Sequence, residues 1–165
     1  MIRFYYIDTE YIKYLQQMEP RVPNIQYSEH DKLVCGIVLK IHDMEYYAPI
    51  SHFKKKVRTN ILITDKGNPI ASIRFSFMFP VPQAVLTEMD FSEIAKTDRS
   101  YADLLSKEYL FCNTHEDKIH KKALEVYKIG TNRNHPLNRC CCDFKKLEKI
   151  FSHWQLEKQN EEATV

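Results

Sequence analysis

Ile2, Phe4 and Tyr6 alternate with Arg3 and Tyr5, the period-two spacing of a half-buried strand over residues 2–7. Asp8 or Thr9 then caps a helix with Glu10 in its first turn, and Tyr11, Ile12, Leu15 and Met18 recur at helical spacing until Pro20. Residues 21–31 are polar and hold Pro23, Tyr27 and His30. A largely apolar strand follows over 32–41, and His42-Asp43-Met44 turns it into a second strand over 45–50. A basic loop leads to a strand over 60–64, a turn at 65–68 and a strand over 69–77. Phe75, Phe77, Met78, Phe79 and Val81, interrupted by Pro80 and Pro82, predict an edge strand or a bend, because proline brings no N–H to a central ladder.

Beyond residue 88 the period becomes helical. Met89-Asp90-Phe91-Ser92-Glu93-Ile94 has the layout of a capping box with a Met89–Ile94 staple. Tyr101, Leu104, Leu105 and Tyr109 place a helix over 100–112. Thr114 is the expected cap of the next helix, which carries Ile119, Ala123, Val126 and Tyr127 on one face, and Gly130 is its expected stop. Asp143 caps a last helix bearing Phe144, Leu147, Ile150, Phe151 and Trp154. One early helix, an antiparallel sheet and then several helices predict an α+β fold, a curled barrel-like sheet with helices packed around it. The expected organisation is one domain over 1–156 and a flexible tail over 157–165.

Composition narrows the chemistry. Three glycines in 165 residues cannot build a Gly-rich nucleotide loop. No apolar run approaches a membrane span, and the chain enters its first strand without a leader-like segment. Five cysteines, three of them consecutive at 140–142, do not suit a disulfide framework and fit a reducing cytoplasm. Those cysteines, with His120 and His135, are ligands by type, but the spacing matches no zinc pattern, so no metal and no cofactor is expected. The net charge of +2 is nearly neutral, so any case for a polyanion rests on local distribution.

That distribution is uneven. Ser51 and His52 stand where a strand hands over to a loop, and Lys54, Lys55, Lys56 and Arg58 follow with no acid before Asp65. Imidazole titrates near working pH and can move a proton, while the cations attract phosphate. Phe53 interleaves the run, which suits a groove that tracks a nucleic-acid backbone and stacks a base. A histidine at a strand end also serves often as a simple turn cap, and a short cationic run as a solvated loop. Lys32, at the mouth of an apolar strand, is suited to stabilise a five-coordinate phosphorane or merely to end the strand in water. Tyr27, His30 and Phe111 are further stacking or hydrogen-bonding candidates, with Phe111 equally at home in a helix core.

Several segments together resemble the ToxN/AbiQ endoribonuclease toxins of bacterial type III toxin–antitoxin systems, nearest the CptN type. They are Phe4-Tyr5 with Tyr11-Ile12-Lys13-Tyr14-Leu15, Val22-Pro23-Asn24, Gly36-Ile37-Val38-Leu39, Tyr47-Ala48-Pro49-Ile50-Ser51, Phe77-Met78-Phe79-Pro80-Val81, Glu116-Asp117-Lys118-Ile119 and Cys142-Asp143-Phe144-Lys145-Lys146-Leu147-Glu148. The resemblance implies a Kid/MazF-like fold, a compact SH3-like barrel with added helices. It implies a metal-independent RNase that cuts adenine-rich single strands in cellular or phage mRNA and leaves 2′,3′-cyclic phosphate and 5′-hydroxyl ends. The implied partner is a small repeat RNA whose units fold as pseudoknots, are cut from their precursor by the toxin, and inhibit it in a closed alternating protein–RNA assembly. Such proteins abort phage infection.

The family's lysine before the Gly-Ile-Val-Leu strand matches Lys32, and its threonine after Ala-Pro-Leu matches Ser51. The next position, often serine, is His52 here; the lysine two further on matches Lys54, and the helix phenylalanine matches Phe111. The loop tyrosine aligns to Tyr27 or, by role, to His30. The implied mechanism is attack by the ribose 2′-hydroxyl on the adjacent phosphorus, with His52 as base or acid, Ser51 on a phosphate oxygen, and Lys32 and Lys54 on the developing charge. Lys55, Lys56 and Arg58 would hold the backbone. The alternative is a non-catalytic RNA-binding module using the same groove. A DNA-binding repressor is disfavoured, because no helix spaces basic and amide residues for a major groove.

Overall fold

A computed structural model describes residues 1–23 and 35–165. The first strand, β1 (Phe4–Ile7), begins two residues later than the alternation suggests. Asn113 explains the delay: its Oδ1 accepts from the Ile2 N–H at 2.8 Å and its Nδ2 donates to the Ile2 carbonyl at 3.1 Å, so a side chain takes the place of a ladder partner. Helix α1 (Thr9–Met18) starts at Asp8, whose carboxylate accepts from the Glu10 N–H. It buries Tyr11, Ile12 and Leu15, whereas Met18, in its last turn, is 55% exposed.

Strands β2 (Gly36–Ile41) and β3 (Met44–Ser51) form a hairpin, from Gly36 opposite Pro49 to Ile41 opposite Met44, with His42 in the left-handed region at the turn. The expected strand over 32–41 thus appears from Gly36; its residues 32–34 lie outside the described residues. Strands β4 (Asn60–Asp65) and β5 (Asn68–Arg74) form a second hairpin, turned by Lys66 and Gly67. Both turn residues have positive φ, as a two-residue turn matched to the sheet's twist requires. β5 stops at Arg74 and passes into a 3₁₀ turn over Phe75–Phe77, which shortens the strand expected over 69–77. Two short strands follow, β6 (Phe79–Pro80) and β7 (Leu86–Glu88).

The SH3-like barrel is not what these strands build. They form one open antiparallel sheet of seven strands in the order β4-β5-β3-β2-β1-β7, with β6 added on β3. The chain remains a mixture of sheet and helices, but the closed, Kid/MazF-like architecture is corrected to an open one. Closure requires the two end strands to pair. Here β1 takes the three-residue β7, and β4 lies against a helix instead, tied there by Lys107 to Asp65 at 3.1 Å. Among the described residues no pairing joins β4 to β7. β3 is the spine: β2 occupies one edge, while β6 at Tyr46 and Tyr47 and β5 at Ile50 and Ser51 share the other.

Among the described residues the helical part comprises, besides α1, α2 (Phe91–Thr97), α3 (Arg99–Thr114), α4 (Glu116–Thr131) and α5 (Phe144–Ala163). Asp90, Asp98 and Asp143 accept from backbone N–H groups at the starts of α2, α3 and α5. Thr114 is no cap: it ends α3, and its hydroxyl donates to the Leu110 carbonyl at 2.7 Å. His115 takes the junction with no side-chain cap bond, and Glu116 and Asp117 face the N-terminal dipole of α4 instead. Gly130 does not stop α4, which continues to Thr131. A Cβ at 130 would stand 2.2 Å from the Phe144 ring, so the glycine lets α5 approach α4 closely. α5 runs through the expected tail as far as Ala163. Inside, Glu148 accepts from Tyr46 at 2.7 Å and Tyr127 at 2.6 Å, joining sheet, α4 and α5.

Candidate nucleic-acid interface

The site begins where β3 ends. Ser51 is half-buried and pairs with Ser72 of β5, and its Oγ accepts from the Phe53 N–H at 3.4 Å, turning the chain out of the sheet. His52 and the three lysines Lys54, Lys55 and Lys56 are exposed.

The loop is nonetheless anchored. Asn60, the first residue of β4, is only 4% exposed; its Nδ2 donates to the Lys55 carbonyl at 3.0 Å and its Oδ1 accepts from the Val57 N–H at 3.1 Å. Arg58 reaches Glu125 of α4 at 3.6 Å, and Lys122 donates to the Arg58 carbonyl at 3.4 Å. The cationic run is therefore pinned at its middle by a buried amide and at its end by α4, where Arg58 has an acidic neighbour in Glu125.

Phe53 folds back over β5. The guanidinium carbon of Arg74 lies 4.2 Å from its ring centroid and 4.8 Å from that of Phe77. Ser72, opposite Ser51, is fully buried, and its Oγ has no hydrogen-bond partner among the described residues.

The sequence designated Ser51, His52, Phe53, Lys54, Lys55, Lys56 and Arg58, and the structure holds them as one strand end and one anchored loop. Phe111 lies on another element, α3, where its ring stacks on His115 at 4.2 Å. Tyr27, His30 and Lys32 lie outside the described residues. Sequence reasoning missed Asn60, Ser72 and Arg74. A period-two reading of β5 would have put Ser72 and Arg74 on one face, but only the pairing with β3 shows that Ser51 shares it.

Among the described residues no cluster of three His, Cys, Asp or Glu side chains is placed to hold a metal ion; Cys140 is exposed whereas Cys141 and Cys142 are buried. On α3, Glu108 is 3% exposed, and burial pushes its carboxyl up to about 7. No helix among the described residues is long and apolar enough to cross a membrane.

A hydroxyl, an imidazole and a short cationic loop at an ordered strand end are equipped to bind a phosphodiester. The family model for ToxN, the toxin of type III toxin–antitoxin systems, matches residues 3–152. Endoribonuclease ToxN of Bacillus thuringiensis subsp. kurstaki is 30% identical over 171 residues, spanning 97% of this chain and 88% of the relative. Endoribonuclease AbiQ of Lactococcus lactis subsp. lactis is 28% identical, over 89% of this chain and 86% of the relative. A solved type III toxin–antitoxin structure, in which a non-coding RNA pseudoknot selectively inhibits the toxin, superposes with a TM-score of 0.84 at 28% identity. It covers 93% of this chain and 98% of that one. The chain therefore belongs to the ToxN toxin family of type III toxin–antitoxin systems.

Proposed function

We propose that the Ser51–Lys56 corner is the catalytic centre of an RNA-cutting toxin. The chain is an endoribonuclease, the toxin of a type III toxin–antitoxin system whose antitoxin is a non-coding RNA pseudoknot. It acts in the cytoplasm on adenine-rich single strands of cellular or phage mRNA, and so aborts phage infection. It also cuts its own repeat antitoxin precursor and is inhibited by the product in a closed alternating assembly.

The observation that carries this reading is the continuity of Ser51, at the fixed end of β3, with an exposed imidazole and three exposed lysines on a loop anchored by Asn60. The 2′-hydroxyl attacks the adjacent phosphorus in line. His52 takes the proton from that hydroxyl or gives one to the departing 5′-oxygen, and Ser51 donates to a non-bridging oxygen. Lys54, with Lys32, meets the charge that grows on the phosphorane. Lys55, Lys56 and Arg58 follow the backbone, while Phe53, Phe111, Tyr27 and His30 contact the flanking bases. No step needs a metal: the attacking oxygen is the substrate's own.

The test is to incubate the wild-type chain and His52→Ala with adenine-rich RNA in EDTA and to map the ends. Cyclic-phosphate ends from the wild type, lost or reduced about a hundredfold or more in the variant, are expected. Full cleavage by His52→Ala would transfer proton movement to another group. Binding without cleavage by the wild type would favour the non-catalytic RNA-binding module.

A further inference from the structure

We propose that Arg74 is a phosphate-binding residue of the RNA groove, gripping the backbone next to the nucleotide held at Ser51. The inference rests on the nuclease reading and adds to it a residue that lies outside the cationic loop.

The sheet sets the geometry. Ser72 lies directly opposite Ser51, and Arg74 is two residues further along β5, so Ser51, Ser72 and Arg74 leave the sheet on one face. Phe53, two residues beyond Ser51, returns over that face, and the Arg74 guanidinium sits over its ring at 4.2 Å and over the Phe77 ring at 4.8 Å. A guanidinium seated on aromatic rings meets them through its plane and hydrogen-bonds through its N–H edge, whose fork matches a phosphate bidentately. Arg74 is half-buried, so its aromatic seat orders it while solvent still reaches it. Lys54, Lys55 and Lys56 are exposed, with long side chains free to swing. Among the described residues Arg74 is thus the preordered cation at the root of the run, nearest in the sheet to Ser51. Phe53 gains a second role: it holds the guanidinium in place as well as offering a surface to a base.

The experiment uses the full chain and a 2′-O-methyl adenine-rich RNA that cannot be cut. Affinity is measured between about 50 and 200 mM salt for the wild type, Arg74→Ala and Arg74→Lys, with thermal melts of each. Arg74→Ala is expected to bind several-fold more weakly and to lower the slope of log K against log salt by about 0.7, one single-strand phosphate contact. Arg74→Lys is expected to keep the slope, because it keeps the charge, but not the affinity, because it lacks the fork. With cleavable RNA, KM rises in both variants. Wild-type slope, affinity and KM in a folded Arg74→Ala would overturn the proposal and leave Arg74 as the seat of Phe53. If Arg74→Ala does not fold, Arg74→Lys decides, and wild-type affinity there rejects the bidentate contact. The two readings fail separately. A wild type that binds but does not cut sinks the nuclease and leaves the slope comparison valid. One that cuts, with Arg74 variants unchanged, sinks this contact alone. A wild type that does not bind the RNA sinks both.

Discussion

Asn60 holds Lys55 by its backbone: the buried carboxamide donates to the Lys55 carbonyl at 3.0 Å while accepting from the Val57 N–H at 3.1 Å. A loop of like charges would otherwise spread, and one amide at the start of β4 sets its shape. Asn60→Ala removes two partly buried hydrogen bonds, to the Lys55 carbonyl and from the Val57 N–H, at a cost of about 1–3 kcal/mol in urea unfolding. RNA cleavage should fall further than the loss of folded protein explains. Asn60→Asp keeps the acceptor for Val57 but not the donor to Lys55, and should fall between the two. Cleavage tracking only the folded fraction in both variants would detach the loop's shape from the chemistry.

Glu108 makes stability fall with rising pH. Burial raises its carboxyl to about 7 in the folded chain, above the ordinary carboxylate value it has when unfolded. The folded state therefore keeps a proton that the unfolded state has released, and its advantage, full in acid, is lost as pH climbs towards 7 and is gone above it. Tyr101 and Cys112 on α3 and Cys35 just before β2 surround it, and burial raises each of them too, so none carries charge in that window. Thermal melts between about pH 5 and 8 should show a decline in the wild type that Glu108→Gln removes. A variant with the same slope would place the titration elsewhere.

Gly130→Ala should destabilise despite the helical setting. Alanine is worth about 1 kcal/mol over glycine in a helix. Its Cβ, however, would stand 2.2 Å and 2.5 Å from atoms of the fully buried Phe144 ring, itself stacked on Tyr127 at 5.8 Å. Overpacking of that kind costs about 1–3 kcal/mol, so the net effect is a lower melting temperature. A higher one would mean that the ring slides aside freely.

Ser72→Ala should not destabilise. The hydroxyl is fully buried and bonds nothing among the described residues, so its removal relieves a desolvation cost and should add up to about 1 kcal/mol in denaturant unfolding. A loss of similar size would reveal a partner for the Ser72 Oγ.

Local rules were legible where one segment contains its own reason. Asp90 and Asp143 read as helix caps and are caps, Asp8 is the cap where the sequence offers Asp8 or Thr9, and the strand read over 45–50 runs over Met44–Ser51. What the sequence hid depends on partners far along the chain. Thr114 has the chemistry of a cap, but α3 absorbs it because only His115 separates two helices. Gly130 reads as a helix stop, but α4 continues past it, and its purpose lies in Phe144 on the following helix. Arg74 lies 21 positions beyond Phe53 and meets it only after the sheet is built. The barrel failed for a related reason: alternation tells which residues pair with something, but not that β1 would choose β7 and leave β4 to a helix.

β3 is gripped along both edges, and its neighbours fix Ser51 in register; Arg74 fixes Asn60 in the same way. The eight residues between those two posts join no strand pair, yet Ser51 Oγ holds one end of them and the Asn60 carboxamide the other. One residue inserted there would leave every strand pair in place and still carry the imidazole and the lysines out of step with Ser51, so the spacing of the strap, and not the sheet, is where the site is most easily lost.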